Sequence, residues 1–247
     1  MHDFGQLVYM DMHKTGSSQT SHFLRACCVL PEVSFVKHAF LRSRRKADAY
    51  YFTTIRNPLS AYFSLFRYGL DGKGGYFLRM ARKGHGHLYR NDAASYAAWL
   101  RVTLQPDHMA HMYGGLSKFM ELGFGVLSAR HMLFSLEKPK KRIETCQSQS
   151  EAVRLFQAGN INHSVVQVEH LNDGLVKLAT RTKPDLFDQG RVHTYFAQQA
   201  ALPINRSISE VMGDVRLDDA TLDLLYAREN LIFDRYYGGR SALDAAR

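Results

Sequence analysis

The sequence predicts an α/β fold of three layers, a central and mainly parallel sheet flanked by helices. Two observations carry this expectation. Short runs rich in aromatic and β-branched residues alternate with stretches of helical spacing, the pattern of strands joined by crossover helices. The chain also opens as a strand, a glycine-bearing turn and a helix, "LVYMDMHKTGSSQTSHFLRACCVL" over 7–30. With 247 residues, 45% of them hydrophobic, a substantial core can be buried, and a single domain over 1–247 is expected.

Leu7–Met12 reads as a buried strand, and Gln19–Leu30 as a helix whose apolar positions are Phe23, Leu24, Cys27, Cys28 and Leu30. Val33–Val36 is a second short strand, and "YYFTTI" at Tyr50–Ile55 a third. Asn57-Pro58 starts a helix to about Arg67, with proline in the first turn, where its missing N–H costs nothing. Residues 69–91 are rich in glycine and basic side chains and read as a mobile lid or acceptor loop with one short helical piece. Helices follow at Asp92–Leu104 and Gln149–Ala158, a strand at Val165–Val168, a helix at Asn172–Thr180 and a last amphipathic helix at Asp218–Tyr236. There is no internal repeat or low-complexity tract.

The net charge of +9 attracts anions: nucleic acid, acidic glycans, anionic headgroups or a nucleotide. Basic residues fall in small groups, Arg42, Arg44, Arg45 and Lys46, then Lys138, Lys140, Lys141 and Arg142; the second, around Pro139, reads as a solvated loop. Cys27, Cys28 and Cys146 form neither a disulfide framework nor a metal-ligand spacing, which fits a reducing, cytoplasmic compartment. No apolar run is long enough to span a bilayer, and no signal peptide is expected.

The turn His13-Lys14-Thr15-Gly16-Ser17-Ser18 has the composition of an anion site. Helix N-termini offer N–H groups and a positive dipole end, Gly16 permits close backbone approach, and Lys14 adds a mobile charge. The nucleoside-triphosphatase pattern G-x-x-x-x-G-K-[ST] is not matched, because the lysine precedes the glycine and the first glycine is missing. The turn is thus P-loop-like, without the frame for triphosphate hydrolysis. In "YYFTTIRNPLSAYFSLFRYG", residues 50–69, Arg56 ends a strand and Ser64 lies two turns along the next helix, a sensible clamp for a second phosphate.

With these two motifs the sequence resembles the sulfotransferases that use 3′-phosphoadenosine 5′-phosphosulfate (PAPS). There, a lysine-bearing strand-loop-helix holds the 5′-phosphosulfate and an R-N/D-P…S motif the 3′-phosphate. "VKHAFLRSRRKADAYYFTTIRNP" resembles the segment preceding the second motif in carbohydrate sulfotransferases, where a histidine serves as base. "SVVQVEHLNDGLVKLA", "LPINRSISE" and "YARENLIFDRYYG" resemble a later strand-glutamate-helix, the C-terminal cofactor loop and the closing helix. Carbohydrate members often carry R-x-P-x-x-R, and Ala61 stands at the second arginine.

The resemblance implies a P-loop-like fold and the following roles. Lys14 stabilises the bridging oxygen and 5′-phosphate, Thr15, Gly16, Ser17 and Ser18 complete the cradle, and Arg56 and Ser64 take the 3′-phosphate. Arg206 and Ser207 match the late loop that returns to the nucleotide, with a solvated loop arginine as the competing reading. His38 is the candidate base; a satisfied structural histidine is the alternative, and His85, His87, His108 and His111 are rivals. The His108/His111 pair lacks a third ligand, so no metal is expected. Glu169 could orient a partner or form a structural ion pair.

PAPS is the expected co-substrate and adenosine 3′,5′-bisphosphate its product. The expected acceptor is a hydroxyl on a glycan or glycolipid, anionic ones being drawn by the basic lid, with association at a membrane surface the alternative to a free cytoplasmic location. A small-molecule or peptide-tyrosine acceptor is the alternative within the chemistry. A basic nucleic-acid-binding module is the alternative of another class; no RNP-like aromatic motif or basic heptad helix supports it, and no stable nucleic-acid partner is expected.

Overall fold

The computed structural model describes residues 1–42, 44–106, 114–199 and 215–246. The chain divides into two compact units, one from Met1–Arg56, His131–Arg142 and Phe156–Arg206, the other from Asn57–Arg130, Ile143–Leu155 and Ser207–Arg247. The fold is α/β, a central mixed sheet with helices flanking it.

The first unit holds the sheet. Its strands are β1 (His2–Asp3), β2 (Leu7–Met10), β3 (Ser34–Phe35), β4 (Tyr50–Ile55) and β5 (Ser164–Gln167), in the spatial order β3-β1-β2-β4-β5. β2, β4 and β5 are parallel neighbours, as expected, with Met10 opposite Thr53 and Ile55 opposite Gln167. The expected parallel sheet gains an antiparallel margin, because β1 pairs antiparallel with both β2 and β3. His2 and Asp3 are too few to carry a period, so this reversal left no pattern in the sequence.

Alternation along the strands builds two cores. Leu7, Tyr9 and Phe52 face helix α1 (Ser17–Cys27) and join Phe23, Leu24, Leu171, Leu175 and Val192. Val8, Met10 and Tyr51 face the other way, onto Leu41, Ala49 and Ile161. Tyr9 and Phe52, side by side in the register, stack at 4.9 Å between ring centroids.

The second unit is helical. Helix α2 (Pro58–Leu70) is capped by Asn57, whose side chain accepts the Leu59 N–H at 3.0 Å. Helix α3 (Gly75–Arg82), the short helical piece expected within residues 69–91, buries Tyr76 and Met80 at an i, i+4 spacing. Helix α4 (Ala93–Leu104) starts at Asp92, which accepts the Ser95 N–H at 2.7 Å. Trp99, fully buried, centres an aromatic cluster with Tyr62, Phe66, Tyr76, Tyr89 and Tyr96. Gly69 leaves room for the Tyr89 ring; a Cβ there would stand 2.1 Å from it.

Further helices are α5 (Ser117–Glu121), α6 (Val126–Ser135), α7 (Pro139–Ile143), α8 (Gln149–Gly159), α9 (Leu171–Lys177), α10 (Gln189–Gln199) and α11 (Asp219–Tyr236). The basic run around Pro139 is thus a short helix and not a loop, with proline at its first position. Among the described residues no helix is long and apolar enough to cross a membrane.

α11 has a kink at Glu229 (φ −115°, ψ 18°). The buried Glu229 carboxylate accepts the Tyr62 hydroxyl at 2.5 Å and the N–H groups of Leu127 and Ser128, at 3.1 and 2.7 Å, at the start of α6. It therefore satisfies the first donors of a buried helix end. Gly125 makes the approach possible, since a Cβ would meet the carboxylate at 2.1 Å.

Candidate functional site

The site is built where β2 and β4 end side by side. After β2 the chain crosses to the β3 side of the sheet, and β4 returns on the opposite side of β2. Ligands of open α/β sheets bind at such a switch point, outside the C-terminal strand ends. The turn containing Lys14 leaves β2 there, and Arg56 follows the last residue of β4.

Hydrogen bonds tie the two motifs together. The Thr15 hydroxyl donates to the Met12 carbonyl at 2.9 Å and lies 2.9 Å from the Thr54 hydroxyl, which lies 2.7 Å from that of Tyr9. A hydroxyl has one proton, and Thr15 gives its own to Met12. Thr54 therefore donates to Thr15 and accepts from Tyr9, a one-way chain from the core to the turn. All three side chains are buried. So the Thr15 hydroxyl braces the turn from inside.

Gly16 occupies the N-cap position of α1 in the left-handed region (φ 73°), and a Cβ on it would stand 2.9 Å from Leu171 Cδ2. No side chain caps this helix and no acid lies in its first turn, so the dipole end keeps its positive character. Ser17 and Ser18 form that first turn, with Ser18 exposed. Lys14 is half-buried and also left-handed, at φ 64°. A non-glycine residue held there is strained, and strain of this kind gathers at binding sites.

His38 reaches the same end of the sheet. β3 is antiparallel to β1, which is antiparallel to β2, so two reversals leave β3 pointing along β2. The His38 ring stacks on that of His13 at 3.6 Å between centroids, 24° from parallel. Its Nδ1 is 3.2 Å from the Asp11 carbonyl oxygen and 3.3 Å from Asp11 Oδ2. Burial pulls the His38 pKa below its ordinary value, against the upward pull of Asp11. Glu169 stands exposed in the turn of 3-10 helix after β5, and Val168 of that turn lies against Gly16.

The first unit thus brings together Lys14, Gly16, Ser17, Ser18, Arg56 and His38 at one sheet edge. Ser64 lies on α2, and His85 and His87 flank Gly86, all in the second unit. His87 Nδ1–H donates to the Gly84 carbonyl at 2.8 Å. His108, His111, Arg206 and Ser207 lie outside the described residues. Among the described residues no cluster of three or more His, Cys, Asp or Glu could hold a metal.

Asp11, Tyr9 and Thr54 escaped the sequence reading, and His13 was included in the turn without a role. An acid in the last residues of an apolar strand, just ahead of a lysine turn, was the available signal for Asp11. No protein-family model, curated protein or solved structure matches the chain.

Proposed function

We propose that this chain is a sulfotransferase with a P-loop-like three-layer core, moving a sulfuryl group from PAPS to a hydroxyl of a glycan or glycolipid. The observation that supports this most directly is the Tyr9–Thr54–Thr15 chain, which locks the lysine turn to the strand that leads into Arg56. Two cationic motifs on adjacent strand ends suit a ligand bearing two separate phosphates.

The residues fit such a ligand. The first-turn N–H groups of α1, with Gly16 allowing close approach, would cradle the 5′-phosphate, and Lys14 would neutralise charge developing on the bridging oxygen. Arg56 would pair with the 3′-phosphate. PAPS supplies an activated sulfuryl group whose transfer, like loose phosphoryl transfer, is governed by positioning and charge stabilisation. His38 would accept the proton of the acceptor hydroxyl, and burial keeps its imidazole neutral, hence basic, at neutral pH.

The deciding experiment is thermal stability with adenosine 3′,5′-bisphosphate, AMP or ATP at equal concentration. At a hundredfold excess over Kd a specific ligand adds about 2.7 kcal/mol. For a chain of this size that raises Tm by about 5–10 °C. The rise is expected for the bisphosphate, much less for AMP or ATP, and is reduced in Lys14→Ala and Arg56→Ala. Equal shifts from ATP, or none from the bisphosphate, would overturn the reading.

A further inference from the structure

Asp11 is buried just past the end of β2, where its carboxylate meets the Met1 amino group and, through both oxygens, His38. Both carboxylate oxygens accept the backbone N–H of His38, each at 3.1 Å. His38 sits in the left-handed region (φ 52°), a conformation a histidine keeps only where its surroundings impose it. The Asp11 carboxylate imposes the backbone, and His13, stacked on the ring, limits its rotation.

The same contacts determine the ring's protonation. The atoms near His38 Nδ1 are the Asp11 carbonyl oxygen and a carboxylate oxygen, and both can only accept. Nδ1 therefore carries the proton, and the lone pair lies on Nε2. We propose that Asp11 is a positioning residue for His38, fixing its backbone, its ring and its tautomer so that Nε2 takes the acceptor's proton. The proposal rests on the sulfotransferase reading for the reaction, though not for the tautomer.

In the step, the acceptor O–H proton passes to Nε2 while the acceptor oxygen bonds to sulfur. The bond from sulfur to the bridging oxygen breaks, and its electron pair leaves with adenosine 3′,5′-bisphosphate. The imidazolium formed has its Nδ1–H against the Asp11 carboxylate, which stabilises it. The other charged or titratable groups around His38 are the Met1 amino group, which also contacts Asp11, together with Lys37 and His13.

The test compares wild type with Asp11→Asn. Ring 15N spectra at pH 8 should show His38 protonated at Nδ1 in wild type and shifted towards Nε2–H in the variant. With PAPS and an accepted hydroxyl substrate, kcat should fall about 10- to 100-fold, less than loss of the general base itself would cost. The acid limb of its pH profile should move to lower pH, because the anion supporting the imidazolium is gone. The bisphosphate-induced Tm shift should be unchanged. A wild-type ring protonated at Nε2, or a variant with unaltered kcat and pH profile, would overturn the proposal. If Asp11→Asn does not fold, the wild-type tautomer alone decides. A missing bisphosphate shift in wild type would instead sink the sulfotransferase reading, and the ring spectrum would still report on Asp11 and His38.

Discussion

Replacing Thr54 with valine tests the brace beneath the proposed cofactor turn. Valine nearly preserves shape, so the change opens no cavity and removes one hydroxyl from a fully buried position. That hydroxyl donates to Thr15 and accepts from Tyr9, at 2.9 and 2.7 Å. Each such bond contributes about 1 kcal/mol net, and a buried hydroxyl left without a partner costs about 1–3 kcal/mol. The Thr20 hydroxyl also interacts with Tyr9 and can take up part of that loss. A total of about 2–3 kcal/mol follows, or a fall in Tm of roughly 4–12 °C for a chain of this length. Calorimetry on wild type, Thr54→Val and Thr54→Ser would measure it, the serine variant restoring most of the loss. The bisphosphate-induced shift should also shrink in Thr54→Val, since Lys14 stands beside the loosened residue. A Tm for Thr54→Val within about 1 °C of wild type would refute the chain of donors argued above.

Gly16→Ala places a methyl 2.9 Å from Leu171 Cδ2 in a left-handed conformation. It should cost about 1–3 kcal/mol and abolish the bisphosphate shift, read by the same melts. Glu229 gives a pH effect. Burial raises its pKa above the ordinary 4.5, outweighing the pull of the Tyr62, Leu127 and Ser128 donors. The folded state then binds more protons than the unfolded one between 4.5 and the raised value, so Glu229's contribution to stability falls as pH rises through that window. Denaturant titrations of Glu229→Gln should show lower stability but a shallower decline above pH 4.5; equal slopes would refute the assignment. His38→Gln should abolish turnover while leaving the bisphosphate shift intact, as single-turnover kinetics and melts would show.

What the sequence revealed depended on the range of the determining interaction. β4 came out at its full extent, Tyr50–Ile55, because it is buried on both faces and its composition says so. The starts of α2, α4 and α11 were legible from Asn57, Asp92 and Asp218, which bond to N–H groups two or three residues on. α6 was missed: Val126–Ser135 is buried almost throughout, which erases the helical period that betrays a half-exposed helix. Glu229 sits in "ARENL", where an acid between polar neighbours reads as solvated; its burial depends on Tyr62 and Gly125, far away in the chain.

The site shows the same division. Lys14, Gly16 and Arg56 lie in local motifs, so their shared place beyond the ends of β2 and β4 was legible. The resemblance placed Thr15 in the cradle, but its hydroxyl is held by Thr54, a residue that no spacing rule pairs with it. His38 was expected on the right edge for an incomplete reason, since it arrives there through an antiparallel detour that the sequence did not disclose.

The left-handed backbone at Lys14 and His38 has a consequence for engineering and for descent. A side chain in that conformation costs about 1–2 kcal/mol that glycine would not. Libraries sorted on heat resistance alone should therefore enrich glycine or asparagine at these two positions early, discarding the charge and the imidazole while the protein grows harder to melt. Lineages in which the proposed activity is no longer under selection should drift the same way. On the proposed reading, the pair records, inside one folded chain, a demand that folding itself does not make.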